Sequence, residues 1–108
     1  MDIIGAEKLD EFAQKHPNAR SALNRWFRLI DEGTFRSIVE LRETFPHADP
    51  VPARSGKLSQ TEGRTTLTVF NIGGNKARLT AFIQYRQQIV AIRRVETHAE
   101  YSKRNLRG

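Results

Sequence analysis

The sequence predicts an α+β fold, with N-terminal helices packed on an antiparallel β-sheet and a short C-terminal helix after it. Three observations predict it. Apolar residues recur at helical spacing through the first half of the chain and switch to a period of two after Thr65. Turn signals then separate the apolar runs, as in a meander of hairpins. Finally, Thr97-His98-Ala99-Glu100 has the spacing of a capping box that opens a helix.

Each element follows in order. Leu9, Phe12, Ala13 and His16 recur at helical spacing, and Pro17 drives His16 out of helical dihedrals. Asn18 is placed to cap a stronger helix. Its stripe is Ala19, Ala22, Leu23, Trp26, Phe27 and Ile30, and Gly33 stands where it should end. Ser37 and Glu40 form a second capping box, opening a short helix through Leu41 that Pro46 stops. Residues 46–63, with Pro46, Pro50, Pro52, Gly56 and Gly63, read as one long connection. It is not a domain linker, because neither side alone makes a comfortable core; residues 1–108 are expected to form one domain.

Thr65–Asn71 is rich in β-branched and aromatic residues and reads as a strand. Ile72-Gly73-Gly74-Asn75 turns the chain, with two glycines and an asparagine able to take positive φ. Ala77–Tyr85 alternates, placing Ala77, Leu79, Ala81, Ile83 and Tyr85 on one face and Arg78, Thr80, Phe82 and Gln84 on the other. Arg86-Gln87-Gln88 turns again, Ile89–Val95 returns, and the last helix runs to about Leu106. The helical stripe must cover one sheet face, which leaves the opposite face and the terminal helix for a ligand.

Composition narrows the chemistry. The chain is 38% hydrophobic and 28% charged, as in a soluble globular protein. With no cysteine it has no disulfide, no thiolate nucleophile and no Cys-based zinc site. No apolar run approaches the roughly 18 residues that span a bilayer, and no signal peptide is evident, so a cytoplasmic location is expected. Residues 1–50 hold seven Lys/Arg against nine Asp/Glu, a balance of −2, whereas residues 51–108 hold eleven against three, a balance of +8. The basic half is expected to face a polyanion, with nucleic acid ahead of membrane because no basic amphipathic helix is evident. A solvated basic face is the duller alternative.

Several chemistries are then excluded. His16, His47 and His98 are far apart and make no metal-ligand pattern, so no metal and no cofactor are expected. Gly73-Gly74-Asn75-Lys76 lacks phosphate-loop spacing, and there is no GxSxG. A polar cluster remains. Arg78 lies on a strand just after Asn75 and Lys76, and His98 and Tyr101, three apart, share one side of the last helix. Arg93 and Arg94 fall on opposite faces of the neighbouring strand, so only one shares a face with Arg78. RNA cleavage without metal needs a base for the 2′-hydroxyl proton, an acid for the leaving 5′-oxygen, and cations for the charged phosphorane. His98, Tyr101, Arg78 and Lys76 meet those needs. The spacing leaves acid and base undistributed between His98 and Tyr101. Proton transfer by His98, phosphate contact by Arg78, and positioning or stacking by Tyr101 is the preferred distribution. The duller alternatives are a His98 that only bonds backbone, a Tyr101 that only packs, turn asparagines at Asn71 and Asn75, and solvated arginines at 93 and 94.

The run Val69-Phe70-Asn71-Ile72-Gly73-Gly74-Asn75-Lys76-Ala77-Arg78-Leu79, followed by Val95-Glu96-Thr97-His98-Ala99-Glu100-Tyr101, closely resembles the HigB group of the RelE-like toxin superfamily. Trp26 and Leu41-Arg42-Glu43-Thr44-Phe45-Pro46 also fit, so the likeness spans nearly the whole chain. It implies a metal-independent mRNA interferase acting on the ribosome, with a helix-turn-helix antitoxin of the HigA kind as partner and DNA met only through that antitoxin. It also implies a RelE-like α+β fold. The matching polar positions are Asn71, Asn75, Lys76, Arg78, Thr97, His98 and Tyr101. Two features depart from the pattern: Ala77 stands where the family is often aromatic, and the 46–63 connection is longer than usual. A non-catalytic RNA- or ribosome-binding module is the alternative.

Overall fold

A computed structural model describes residues 1–52 and 66–107. Five strands, β1 (Asp2–Ile4), β2 (Asp49–Pro52), β3 (Thr66–Ile72), β4 (Ala77–Gln84) and β5 (Ile89–Glu96), form one sheet in the order β1-β5-β4-β3-β2. Four helices accompany it: α1 (Glu7–Lys15), α2 (Arg20–Glu32), α3 (Ile38–Thr44) and α4 (His98–Arg107). The α+β class and the β3-β4-β5 meander agree with the sequence reading. The sheet is mixed, however, because β1 pairs parallel with β5, Asp2 opposite Ile89 through Ile4 opposite Ala91. β2 is the second strand not foreseen. It occupies the start of the expected connection, pairing antiparallel with β3, and residues 53–63 of that connection lie outside the described residues.

Alternation decides which face is covered. Phe70 and Ile72 pair with Leu79 and Ala77, and Ala81 and Ile83 pair with Ile92 and Val90; all eight are buried in one cluster with Leu23, Trp26 and Ile30 of α2. Phe70 is its hub, meeting Trp26 edge-on at 5.4 Å and Phe45 edge-on at 5.2 Å between ring centroids. Ala77 is fully buried on this face, so its departure from the family pattern concerns core packing and not the opposite, polar face.

Local details differ from expectation where backbone geometry overrides side-chain preference. Asn18 does not cap α2; Pro17–Ala19 forms a 3-10 turn whose fixed φ leads into the helix, and Ala19 is the capping position without a side-chain bond. Gly33 does end α2, with extended backbone rather than positive φ. Glycine is needed there for space, since a Cβ would stand 2.5 Å from the Phe35 ring and 2.7 Å from the Leu29 carbonyl oxygen. The Ser37 hydroxyl accepts from the Glu40 N–H as foreseen, but the Glu40 carboxylate accepts from the Arg36 N–H at 2.8 Å, one residue earlier than a standard box. That backbone bond, with the Arg36 charge, holds the Glu40 carboxyl below its ordinary range. α3 continues to Thr44.

Replacing Phe70 by alanine removes both aromatic contacts from the centre of the core. The expected cost is about 3–5 kcal/mol of folding stability, read as a lower urea midpoint with the slope retained.

Candidate active site

On the sheet face away from α2, β-pairing sets Asn71, Arg78 and Glu96 in one row and Asp49, Val69, Thr80 and Arg94 in the next. A cleft of about 320 Å³ opens on this face. Its floor includes Val69, Asn71 and Arg78, the segment from α3 to β2 supplies Arg42, His47 and Asp49, and α4 supplies Tyr101. Arg42 braces that segment, its Nε–H donating to the Ala48 carbonyl at 2.9 Å.

Arg78 organises the floor. It is only 8% exposed, and a guanidinium so far from water needs partners for its hydrogens. Nη1 donates to the carbonyls of Gly74 and Ala77 at 3.4 and 3.3 Å. Nη2 donates to Asn75 Oδ1 at 3.0 Å and meets His98 Nδ1 at 2.8 Å. Because a guanidinium can only donate, Nδ1 is the acceptor, and the hydrogen of the neutral imidazole sits on Nε2, on an exposed side chain. The turn is shaped for this. Gly73 and Gly74 take φ of +58° and +72°, conformations that suit glycine, while Asn75 keeps an ordinary φ and uses its side chain as acceptor.

α4 is fixed at its start by the capping box that the sequence announces. The Glu100 N–H donates to Thr97 Oγ1 at 3.0 Å, and the Thr97 N–H donates to Glu100 Oε1 at 2.8 Å. Arg104 then pairs with Glu96 and lies over the Tyr101 ring, 5.7 Å from its centroid. The hydrogen bonds that Arg104 donates to the Glu96 carboxylate raise its guanidinium further above the ordinary range, so this brace stays charged.

Arg78, Asn75 and His98 are thus bonded together, Asn71 and Tyr101 line the cleft, and Thr97 caps the helix that presents His98 and Tyr101. Three other expected residues stand apart. Lys76 is exposed on the turn and does not line the cleft; its stem lies against Gly73, where Ala22 of α2 also approaches. Arg93 and Arg94 line a different groove, against α1. Thr80 pairs with Arg94 and Ala81 with Ile92, so Arg93 is an unpaired extra residue and strict alternation fails there. Arg42, His47 and Asp49 are the cleft residues that sequence reasoning missed. The only signal was a histidine and an aspartate held between Pro46 and Pro50, which reads as loop.

A family model for HigB_toxin, the RelE-like toxic component of a toxin–antitoxin system, matches residues 19–104. The chain belongs to this family. An mRNA interferase HigB of Escherichia coli O6:H1 (strain CFT073) is 31% identical over 103 residues, covering 95% of this chain and 90% of the relative. The mRNA interferase toxin HigB of Escherichia coli (strain K12) is 30% identical over 101 residues, covering 94% of this chain and 88% of the relative. The HigB match takes in every cleft residue named above, and membership makes an antitoxin this chain's partner. No described helix is long and apolar enough to cross a membrane.

The capping box gives a direct test of how this HigB-family site is held. Thr97→Ala should lower stability by about 1 kcal/mol. Amide exchange should quicken at Glu100, whose N–H loses its acceptor, while the core strands keep their protection.

Proposed function

We propose that the cleft cuts mRNA by attack of a ribose 2′-hydroxyl on the adjacent phosphorus, using the chain's own side chains and no metal. The observation that carries this is the Arg78–His98 bond, which holds an exposed imidazole against a buried positive charge whose own side chain lines a cleft of about 320 Å³. Family membership and relatives named mRNA interferases support the same reading.

Roles follow from the bonds already made. All four Nη hydrogens of Arg78 have partners in the protein, so Arg78 serves as a fixed charge under the phosphorane and as the group that orients His98. With Nδ1 engaged, the neutral His98 works through Nε2–H as a hydrogen-bond donor to the phosphorane oxygens, and the Tyr101 hydroxyl at the cleft gives its proton to the leaving 5′-oxygen. His47, the imidazole that lines the cleft, takes the 2′-hydroxyl proton in this reading. Tyr101, steadied by Arg104, offers a ring for a base to stack on and a hydroxyl near the cleft. Asn71 offers an amide from the floor, and Lys76 adds charge at the turn without reaching the cleft. The family setting extends the reading to messages on the ribosome, to a helix-turn-helix antitoxin of the HigA kind, to DNA contact only through that antitoxin, and to the cytoplasm.

Brief induction in bacteria, with growth followed and new mRNA 5′ ends mapped, tests this. The wild type should arrest growth and cut inside translated frames, and His98→Ala should lose at least about a hundredfold in cutting. Arrest without cuts would move the protein to a ribosome-binding role; cuts undiminished in the variant would remove His98 from the reaction. Arg78→Ala should lower cleavage far more than RNA binding, since its hydrogens are spent inside the protein.

A further inference from the structure

A second basic groove lies between α1 and β5, lined by Lys8, Lys15, Arg93 and Arg94 together with the stacked pair Phe12 and His16. Its volume, about 320 Å³, matches that of the cleft. Several observations set it apart from an ordinary charged surface. Among the described residues, Lys15, Arg93 and Arg94 form no ion pair, and Lys8 reaches only Glu7, at 3.8 Å on the exposed side of α1. Two carboxylates also line the groove: Glu100 is occupied in capping α4, and Glu11 is exposed on α1, leaving four cations against it. The two adjacent arginines are exposed because Arg93 is bulged out of the β4–β5 ladder, an irregularity that interrupts an otherwise continuous pairing.

The groove also carries a ring. His16 stacks on Phe12 with centroids 4.5 Å apart and planes at 30°, and Pro17 fixes the backbone that follows it. Phe12 is buried, so the imidazole is the half-exposed member of the pair. Cations beside an exposed flat ring are the combination that holds a single strand of nucleic acid, through its phosphates and one base face. An acidic protein segment would use the cations and leave the ring without purpose.

The two concavities share a wall. Glu100 faces the groove and Tyr101 faces the cleft, neighbours on the first turns of α4. Arg94 stands opposite Thr80, two residues along β4 from Arg78, or about 7 Å. We propose that the α1–β5 groove is a second RNA-binding site, which grips the backbone of the substrate strand where it leaves the cleft past α4, with His16 stacking on a base. The inference rests on the cleft being the place where RNA is cut.

Binding of fluorescein-labelled, 2′-O-methyl single-stranded RNAs of four and twelve nucleotides, followed by anisotropy across a salt series, tests the groove without cleavage. The variant is Lys15→Gln/Arg93→Gln/Arg94→Gln, with its thermal melt compared to the wild type to confirm folding. For the twelve-mer, loss of three phosphate contacts should make the slope of log K against log salt shallower by about 2. The four-mer should bind as before. His16→Ala should weaken the twelve-mer roughly tenfold, the loss of one stacked base. An unchanged twelve-mer slope, equal losses on both lengths, or a wild type that binds neither RNA would overturn the groove, as would a triple variant that loses only its antitoxin. Failure of the cleavage reading would look different: wild-type and His98→Ala proteins would leave messages intact while the salt slopes still separated.

Discussion

The charge of Arg78 is nearly out of reach of water, and the polar side of the molecule is arranged around satisfying it. A buried guanidinium without partners is costly, so the structure supplies an acceptor to each Nη hydrogen. Those acceptors come from the β3–β4 turn, from β4 itself and from the first residue of α4. One side chain therefore ties the central hairpin to the C-terminal helix. The two glycines of the turn let it bend back over the guanidinium, and the Thr97–Glu100 box points the start of α4 toward it. Because Arg78 donates and cannot accept, the same bond also selects the tautomer of His98.

This arrangement is possible because the apolar work is done on the other face. Trp26, Phe70 and Phe45 pack edge to face beneath α2, and the strands carry their small and branched residues to that side. The polar face is then free to carry Asn71, Arg78 and Glu96 in one row. The acidic first half contributes Lys8, Lys15 and Arg42, along with Glu11 and Asp49, to the two concavities, so their cations come from both halves of the chain.

Much of this was legible in the sequence wherever one local rule acted alone. The α2 stripe, the glycine turn, the β4 alternation and the Thr97 box all appear close to where spacing places them. Other parts were hidden for physical reasons. β1 is three residues long, too short for a period, and its pairing is with a strand near the other end of the chain. β2 reads Asp49-Pro50-Val51-Pro52, and prolines argue against a strand unless it lies at a sheet edge, as this one does. Missing β2 also meant missing His47 and Asp49, which owe their place at the cleft to it. A bulge cannot be read from alternation, because it is the point at which alternation stops; alternation puts Arg93 and Arg94 on opposite faces of the strand, whereas both line the groove against α1.

The parallel pairing of β1 with β5 has a bearing on how the molecule comes into being. Asp2–Ile4 can find its neighbour only after Ile89–Ala91 has been made, so the first strand waits through synthesis of most of the chain. α4, with His98 and Tyr101, follows β5 directly. A partly synthesised chain thus holds the hydrophobic helices and many of the cations, but neither the strand that β1 pairs with nor the α4 wall of the cleft. The cleft of this toxin-family chain is completed only when nearly all of it has been translated.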